Sequence, residues 1–374
     1  MTIATFDAVS PERQKFGALL LAGLRAHLLP LGLTALAWFA VHGFILTLDE
    51  PRNVDFASFA IAFVMMTLPT LLLAVTVIRF FHIALHVRPK HPLPALAADL
   101  RAFFTNPARL ASGLPLVVGL SFFMEAFNQL KYNIPVIQPF AWDQTFDTLD
   151  RWLHFGSLPW EWLQPVLGFP FVTFLLNVNY NLWFMVMWCL WVFLAFQPAP
   201  SVLRMRFFLT FIGSWAIGGG IAAVALSSAG PAYYSSIGLS PDPYAPLMAY
   251  LQSADATWKL WALDTQRLLW DAHTGQQNVI AGISAMPSMH NGSALLFALA
   301  GWHLHRIAGI ALSVFAALIF LGSIHLGWHY AVDAYIGWVI TLAVWWACGP
   351  VARWNQQQSW TRSFVSMVEA QPAR

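Results

Sequence analysis

The run AGIALSVFAALIFLGSIH (residues 308–325) is followed, after Leu326, Gly327 and Trp328, by HYAVDAYIGWVITLAVWWACG (residues 329–349). Neither run holds a Lys or Arg, and Asp333 is their one acid. A helix rises about 1.5 Å per residue, so about 20 apolar residues cross the roughly 30 Å hydrocarbon layer of a bilayer. Both runs therefore read as transmembrane helices. Six further segments read the same way: residues 28–48, 57–81, 112–130, 171–196, 206–228 and 288–304. The expected fold class is an all-α, polytopic membrane helical bundle of about eight spans. Composition agrees: 58% of the 374 residues are hydrophobic and only 10% are charged, against about 25% charged in a typical soluble domain. Ordinary globular folds and disordered chains are excluded. The 19 Lys and Arg are scattered between apolar runs rather than clustered on a polar surface, so a nucleic-acid partner is excluded too. Cys189 and Cys348 lie in apolar segments and suggest neither a disulfide framework nor a zinc site.

Cytoplasmic loops of membrane proteins are enriched in Lys and Arg. With the N-terminus inside and strict alternation over eight spans, the outer side keeps Arg52, Lys131, Arg151, Lys259 and Arg267, and the other 14 of the 19 cations fall inside. Both termini are then cytoplasmic. The opening MTIATFDAVSPERQKF lacks the pattern of a removable signal. Two outer loops are long. Residues 131–170 mix Trp, Pro and acids, and suit a segment lying in the headgroup region. Residues 229–287 begin AGPAYY, hold an amphipathic helix near 253–270, and end at AMPSMH.

The chemistry concentrates in PSMHNGS and GSIHLGWHYAVDAYIGW, which supply Ser288, His290, His325, His329 and Asp333. The charge-based topology puts all five near the outer face. Asp333 follows His329 by four residues, one helical turn, so its carboxylate can meet the imidazole. An acid inside a span is costly unless paired, and marks a functional candidate. A His oriented by a carboxylate is a nucleophile, and a second His can protonate a leaving group. Backbone amides opening the sixth span can bind an anion. This set favours phosphoryl transfer, where positioning and charge stabilisation supply most of the catalysis.

PSMH followed by HLGWHYAVDAYIG resembles the second and third signatures of the membrane-bound type 2 phosphatidic acid phosphatase, or lipid phosphate phosphatase, superfamily. The resemblance implies a six-helix core over residues 112–349, a phosphohistidine on His329, Asp333 as its orienter, His290 as general acid and Ser288 against phosphate. Residues 1–111 would then be an N-terminal extension with two spans and a basic cytoplasmic loop, and 350–374 a cytoplasmic tail. The family phosphatases carry Lys-x6-Arg-Pro, absent here, and an Arg six residues before the nucleophilic His, where this chain has Ser323. Those departures, AGPAYY and WDQTFDTLDRWLHFG are similar to the divergent branch that contains fungal inositol phosphorylceramide synthase and bacterial relatives.

The branch resemblance implies transfer of a phospho-headgroup from a membrane phospholipid donor to a ceramide- or diacylglycerol-like acceptor, without metal or other cofactor. A lipid phosphate or polyprenyl diphosphate phosphatase would use the same residues with water, and a lipid transporter or binding protein would keep them for recognition alone. The expected location is the inner membrane of a bacterium, with the site on the periplasmic or extracytoplasmic face. Candidate substrate contacts are Ser288, His325, Lys131, Tyr233 and Tyr234; the two tyrosines read equally as interfacial anchors. The stripe His325, His329, Asp333 also has the spacing of a metal site. Glu125, inside the third span, requires a partner, either Lys131 or a neighbouring asparagine, or a role toward substrate.

Overall fold

The computed structural model describes residues 11–52, 55–277 and 282–370. Every regular element among the described residues is helical. In chain order they are α1 (Pro11–Ala26), α2 (Leu28–Ile45), α3 (Phe56–His82), α4 (Pro92–Thr105), α5 (Pro107–Ile137), α6 (Asp143–Leu153), α7 (Pro159–Leu167), α8 (Pro170–Ala195) and α9 (Val202–Ala225). There follow α10 (Ala245–Asp255), α11 (Trp261–His273), α12 (Met289–Leu304), α13 (Arg306–His325), α14 (Ala331–Gln356) and α15 (Ser359–Glu369).

Six of these, α2, α5, α8, α9, α13 and α14, are long and apolar enough to cross a membrane, counted over the described residues. The chain is thus a polytopic helical membrane bundle. The other two expected spans fall on α3 and α12. At 16 residues α12 is about 24 Å long by the helical rise, short of a full crossing. The third span begins at Pro107, where Asn106 caps the helix by accepting from the Arg109 amide (3.0 Å), and it runs to Ile137. Lys131 therefore stands on a helix, not in a loop. The last span continues to Gln356, and the segment expected as a tail forms α15, whose Phe364 packs on Leu19 and Ala22 of α1. Residues 1–10 and 371–374 of the outer expected segments lie outside the described residues.

The core is aromatic. Trp183 and Trp191 of α8 meet Phe211 and Trp215 of α9, with ring centroids 4.6 Å apart for Trp191–Phe211 and 4.9 Å for Phe211–Trp215. At the end away from His290 and His329, buried Arg204 donates to Ser112 Oγ (2.5 Å) and the Gln197 carbonyl (2.7 Å), fixing the turn between α8 and α9. At the other end, residues 138–170 hold α6 and α7. The loop near 253–270 is two helices rather than one, broken where Asp255 accepts from the Leu260 amide (2.6 Å).

Candidate active site

Two helix N-termini and one helix C-terminus meet at this end. Ser288 caps α12: its Oγ accepts from the Asn291 main-chain amide (3.4 Å) and also from the Asn291 side chain (3.0 Å), and its own amide donates to the Asp333 carbonyl (2.9 Å). That approach needs glycine. A Cβ on Gly337 would stand 2.6 Å from the Ser288 carbonyl oxygen, so only a bare backbone lets α14 lie against the start of α12. The α13 end closes through Gly327, at φ +73°, and the Trp328 and His329 amides both donate to the Ser323 carbonyl (3.0 Å each).

His329 and Asp333 meet as their spacing implies. Asp333 Oδ2 accepts from His329 Nδ1 (3.1 Å) and from the Tyr330 amide (3.1 Å). A protonated Nδ1 leaves Nε2 for chemistry. The His290 ring centroid is 6.2 Å from that of His329. His290 packs between Tyr180 (4.9 Å, stacked) and Trp183 (4.3 Å), whose Oη and Nε1 are buried without a partner among the described residues. Burial, then the charge of Lys131, push the His329 imidazolium down to about 3, against a weaker raising effect of the Ala285 main chain. His329 is therefore neutral at ordinary pH, the form a nucleophile requires.

The structure thus brings Ser288, His290, His329, Asp333 and Lys131 together. It puts the remaining candidates one layer back. His325 Nε2 bonds Thr173 Oγ1 (2.9 Å), which in turn meets Tyr250 Oη (2.6 Å). The expected stripe of His325, His329 and Asp333 is not realised on one face, because α13 ends at His325 and α14 begins only at Ala331. Tyr233 donates to the Gln266 carbonyl (3.0 Å), and Gln266 Nε2 donates to the Leu326 carbonyl (2.9 Å), tying α11 to the turn before His329. Tyr234 packs with Tyr244 and Tyr330 beneath α6. Ser323, at the position of the family arginine, is buried and its Oγ accepts from the Asn291 amide group (3.1 Å). Glu125 pairs with neither Lys131 nor an asparagine. It accepts from Trp38 Nε1 (2.7 Å) and lies 3.2 Å from His42 Nε2, both on α2.

One further group at this end is not among the residues expected from the sequence. Asp143, Asp147 and Asp150 lie on one face of α6, and each is buried. Asp143 accepts from the Gly230 amide (2.7 Å), the Ala229 amide (2.9 Å) and Tyr330 Oη (2.9 Å). Gly230 has φ +97°, and a Cβ there would meet the Trp328 carbonyl at 2.8 Å, which explains the glycine of AGPAYY. Asp147 accepts from Tyr244 Oη (3.0 Å). Asp150 accepts from the Ala331 and Val332 amides (2.8 and 2.9 Å). Burial raises the Asp143 carboxyl above its ordinary range and takes Asp150 to about 7, against the lowering effect of those amide bonds. The signal was present as acids spaced four and three apart, yet their partners are main-chain amides far along the chain, which no side-chain pattern encodes.

Among curated proteins and among solved structures, none matches this chain. The family model described as the PAP2 superfamily matches residues 144–347, more than half of the chain, and covers α6 from its second residue on, Ser288, His290, His329 and Asp333, while Asp143 lies just outside it. By that match, the chain belongs to the PAP2 superfamily.

Proposed function

We propose that this protein moves a phospho-headgroup from a membrane phospholipid to a lipid alcohol through a phosphohistidine on His329. Membership of the PAP2 superfamily supports a phosphatase-type lipid enzyme. The observation that carries the finer reading is the poverty of cations at the site among the described residues: Ser323 is buried and bonded to Asn291 where the phosphatases have an arginine, and Lys131 is the cation whose charge bears on His329. A phosphomonoester carries a charge of about −1.5 to −2 at neutral pH, whereas a phosphodiester carries only one. A cation-poor site suits the diester.

In the proposed reaction His329 Nε2 attacks phosphorus, the bond to the diacylglycerol oxygen breaks, and His290 gives that oxygen its proton. Asp333 holds the His329 tautomer and stabilises the charge that develops on the ring. The acceptor hydroxyl then loses its proton to His290 and attacks phosphorus, and the bond to Nε2 breaks. Ser288, with the free amides opening α12, and Lys131 receive the non-bridging oxygens. Tyr233, Tyr234 and His325 act on substrate through the turn and helices they brace.

Family membership itself favours a second reading, in which water replaces the acceptor and free phosphate is released from a lipid phosphate. The test is to incubate purified protein with phospholipids of defined headgroup, with and without ceramide or diacylglycerol, and to analyse the products by mass. Headgroup transfer together with release of diacylglycerol is the expected outcome. Free phosphate alone would establish the second reading. His329→Ala should lower turnover at least about 10³-fold and abolish labelling by the phospho-donor; a fully active variant overturns both readings.

A further inference from the structure

We infer that Asp150 is a positioning residue for the Asp333–His329 pair, holding it from a helix outside the spanning bundle. The inference rests on His329 as the nucleophile. It begins with the N-terminus of α14, which like any helix start presents amides that lack an intrahelical partner. The first two, of Ala331 and Val332, are taken one by each oxygen of Asp150 (2.8 and 2.9 Å). Asp333 sits at the third position of the same helix, where a carboxylate ordinarily folds back onto nearby amides. Here its Oδ2 takes the Tyr330 amide and His329 Nδ1, and its Oδ1 is buried without a partner among the described residues.

That unpartnered Oδ1 makes the arrangement precarious. With the Ala331 and Val332 amides unclaimed, the positive end of α14 would draw Asp333 toward them and away from the imidazole. Asp150 occupies those donors and leaves Asp333 to His329. Its own helix is fixed at two further points on the same face: Asp143 on the amides of Ala229 and Gly230 and on Tyr330 Oη, and Asp147 on Tyr244 Oη with Arg151 alongside at 3.2 Å. Bringing a carboxylate into this buried place is costly unless every oxygen is bonded, and both oxygens of Asp150 are.

The test uses the full-length protein. Asp150→Asn keeps the shape but has one acceptor oxygen for two amides. It should lower kcat about 10- to 100-fold with KM changed less than about 3-fold, and Asp150→Glu, which keeps two oxygens, should recover part of the loss. Residues acting through one another are non-additive, so the Asp150→Asn, Asp333→Asn double variant should be no slower than Asp333→Asn alone. Independently of turnover, the rate at which diethyl pyrocarbonate modifies His329, read by peptide mass, should move in Asp150→Asn toward its value in Asp333→Asn. An unchanged kcat, a multiplicative loss in the double variant, or an unchanged modification rate overturns the inference. If Asp150→Asn does not fold, the graded loss in Asp150→Glu carries the same test. Turnover that survives His329→Ala would instead overturn the proposed function, and the modification rates would still judge the positioning of His329.

Discussion

Among the described residues two histidine–carboxylate pairs are of nearly equal length, His329–Asp333 at 3.1 Å and His42–Glu125 at 3.2 Å, both with a buried carboxylate. Their surroundings differ. His42 has its Nδ1 against the Trp38 carbonyl (2.9 Å) and its Nε2 against Glu125, and its ring stacks on Trp38 with centroids 4.1 Å apart. The second oxygen of Glu125 accepts from Trp38 Nε1. Both ring nitrogens and both oxygens are occupied, so this pair ties α2 to α5 and has nothing left with which to react. At the other pair one carboxylate oxygen is unbonded, a second imidazole stands 6.2 Å from the first, and a serine-capped helix start adjoins them. What suits the His329–Asp333 pair to the proposed chemistry is unsatisfied bonding capacity beside a second imidazole; the pair distance alone does not distinguish the two.

The largest break between the pairs is expected from removing one charge in each. Asp333→Asn should lower turnover by roughly 10²- to 10⁴-fold, since an amide holds the wrong tautomer of His329, with little change in melting temperature. Glu125→Ala should leave turnover within about 3-fold and instead destabilise the fold by about 1–3 kcal/mol, by stranding Trp38 Nε1 in an apolar setting. Kinetics and thermal unfolding on the two variants check this. If Glu125→Ala proved the slower enzyme, the assignment of roles would be reversed.

The sequence made some of this legible and hid the rest for physical reasons. Spans are written as continuous apolar runs, so the polytopic bundle followed from residues such as 308–349, even though α12 is shorter than a full crossing. His329 and Asp333 were visible because they stand only four residues apart, and they meet even though His329 lies just before α14 begins. The same local rule misled at His325, because the turn from Leu326 to Trp328 breaks the helix that the spacing presumes. Asp143 and Asp150 stayed hidden in a segment whose Trp and Pro content speaks of a membrane interface, while their partners are main-chain amides at residues 229–230 and 331–332. Helix α1 and the packing of α15 on it depend on tertiary contacts that short, weakly apolar segments do not announce.

A second, smaller contrast comes from glycine. Gly337→Ala would drive a methyl to 2.6 Å from the Ser288 carbonyl oxygen, forcing α12 and α14 apart at the site. The expected cost is about 1–3 kcal/mol of stability and, because reacting groups must be held to within a fraction of an ångström, roughly a 10²-fold loss of turnover. Gly43, one residue from His42, has nothing within 4 Å of a Cβ built on it. Gly43→Ala should keep full turnover and leave stability unchanged or raised by up to about 1 kcal/mol. Equal losses in the two variants would mean that helix spacing at Ser288 does not matter to the reaction.

The smallest expected effect is in pH dependence, where two groups at the proposed catalytic end oppose each other. Burial takes Asp150 to about 7, above the ordinary carboxylate value, so the folded protein binds a proton there that the unfolded chain does not; the stability from this group is present in acid and lost as pH rises through about 7. Burial and Lys131 take His329 to about 3, below the ordinary histidine value, so the unfolded chain binds the extra proton. The stability from this group is present above about 6.5 and lost as pH falls toward 3. Between about pH 6.5 and 4 the two slopes partly cancel. Asp150→Asn removes the compensating slope and should steepen the loss of stability on acidification, while His329→Gln removes the other and should flatten it, each by a few degrees of melting temperature at about pH 5. Thermal unfolding of the three proteins from pH 8 to 4.5 measures both slopes. Parallel curves for all three would mean that these side chains titrate alike in the folded and unfolded states, which would contradict the burial that isolates this pair from solvent.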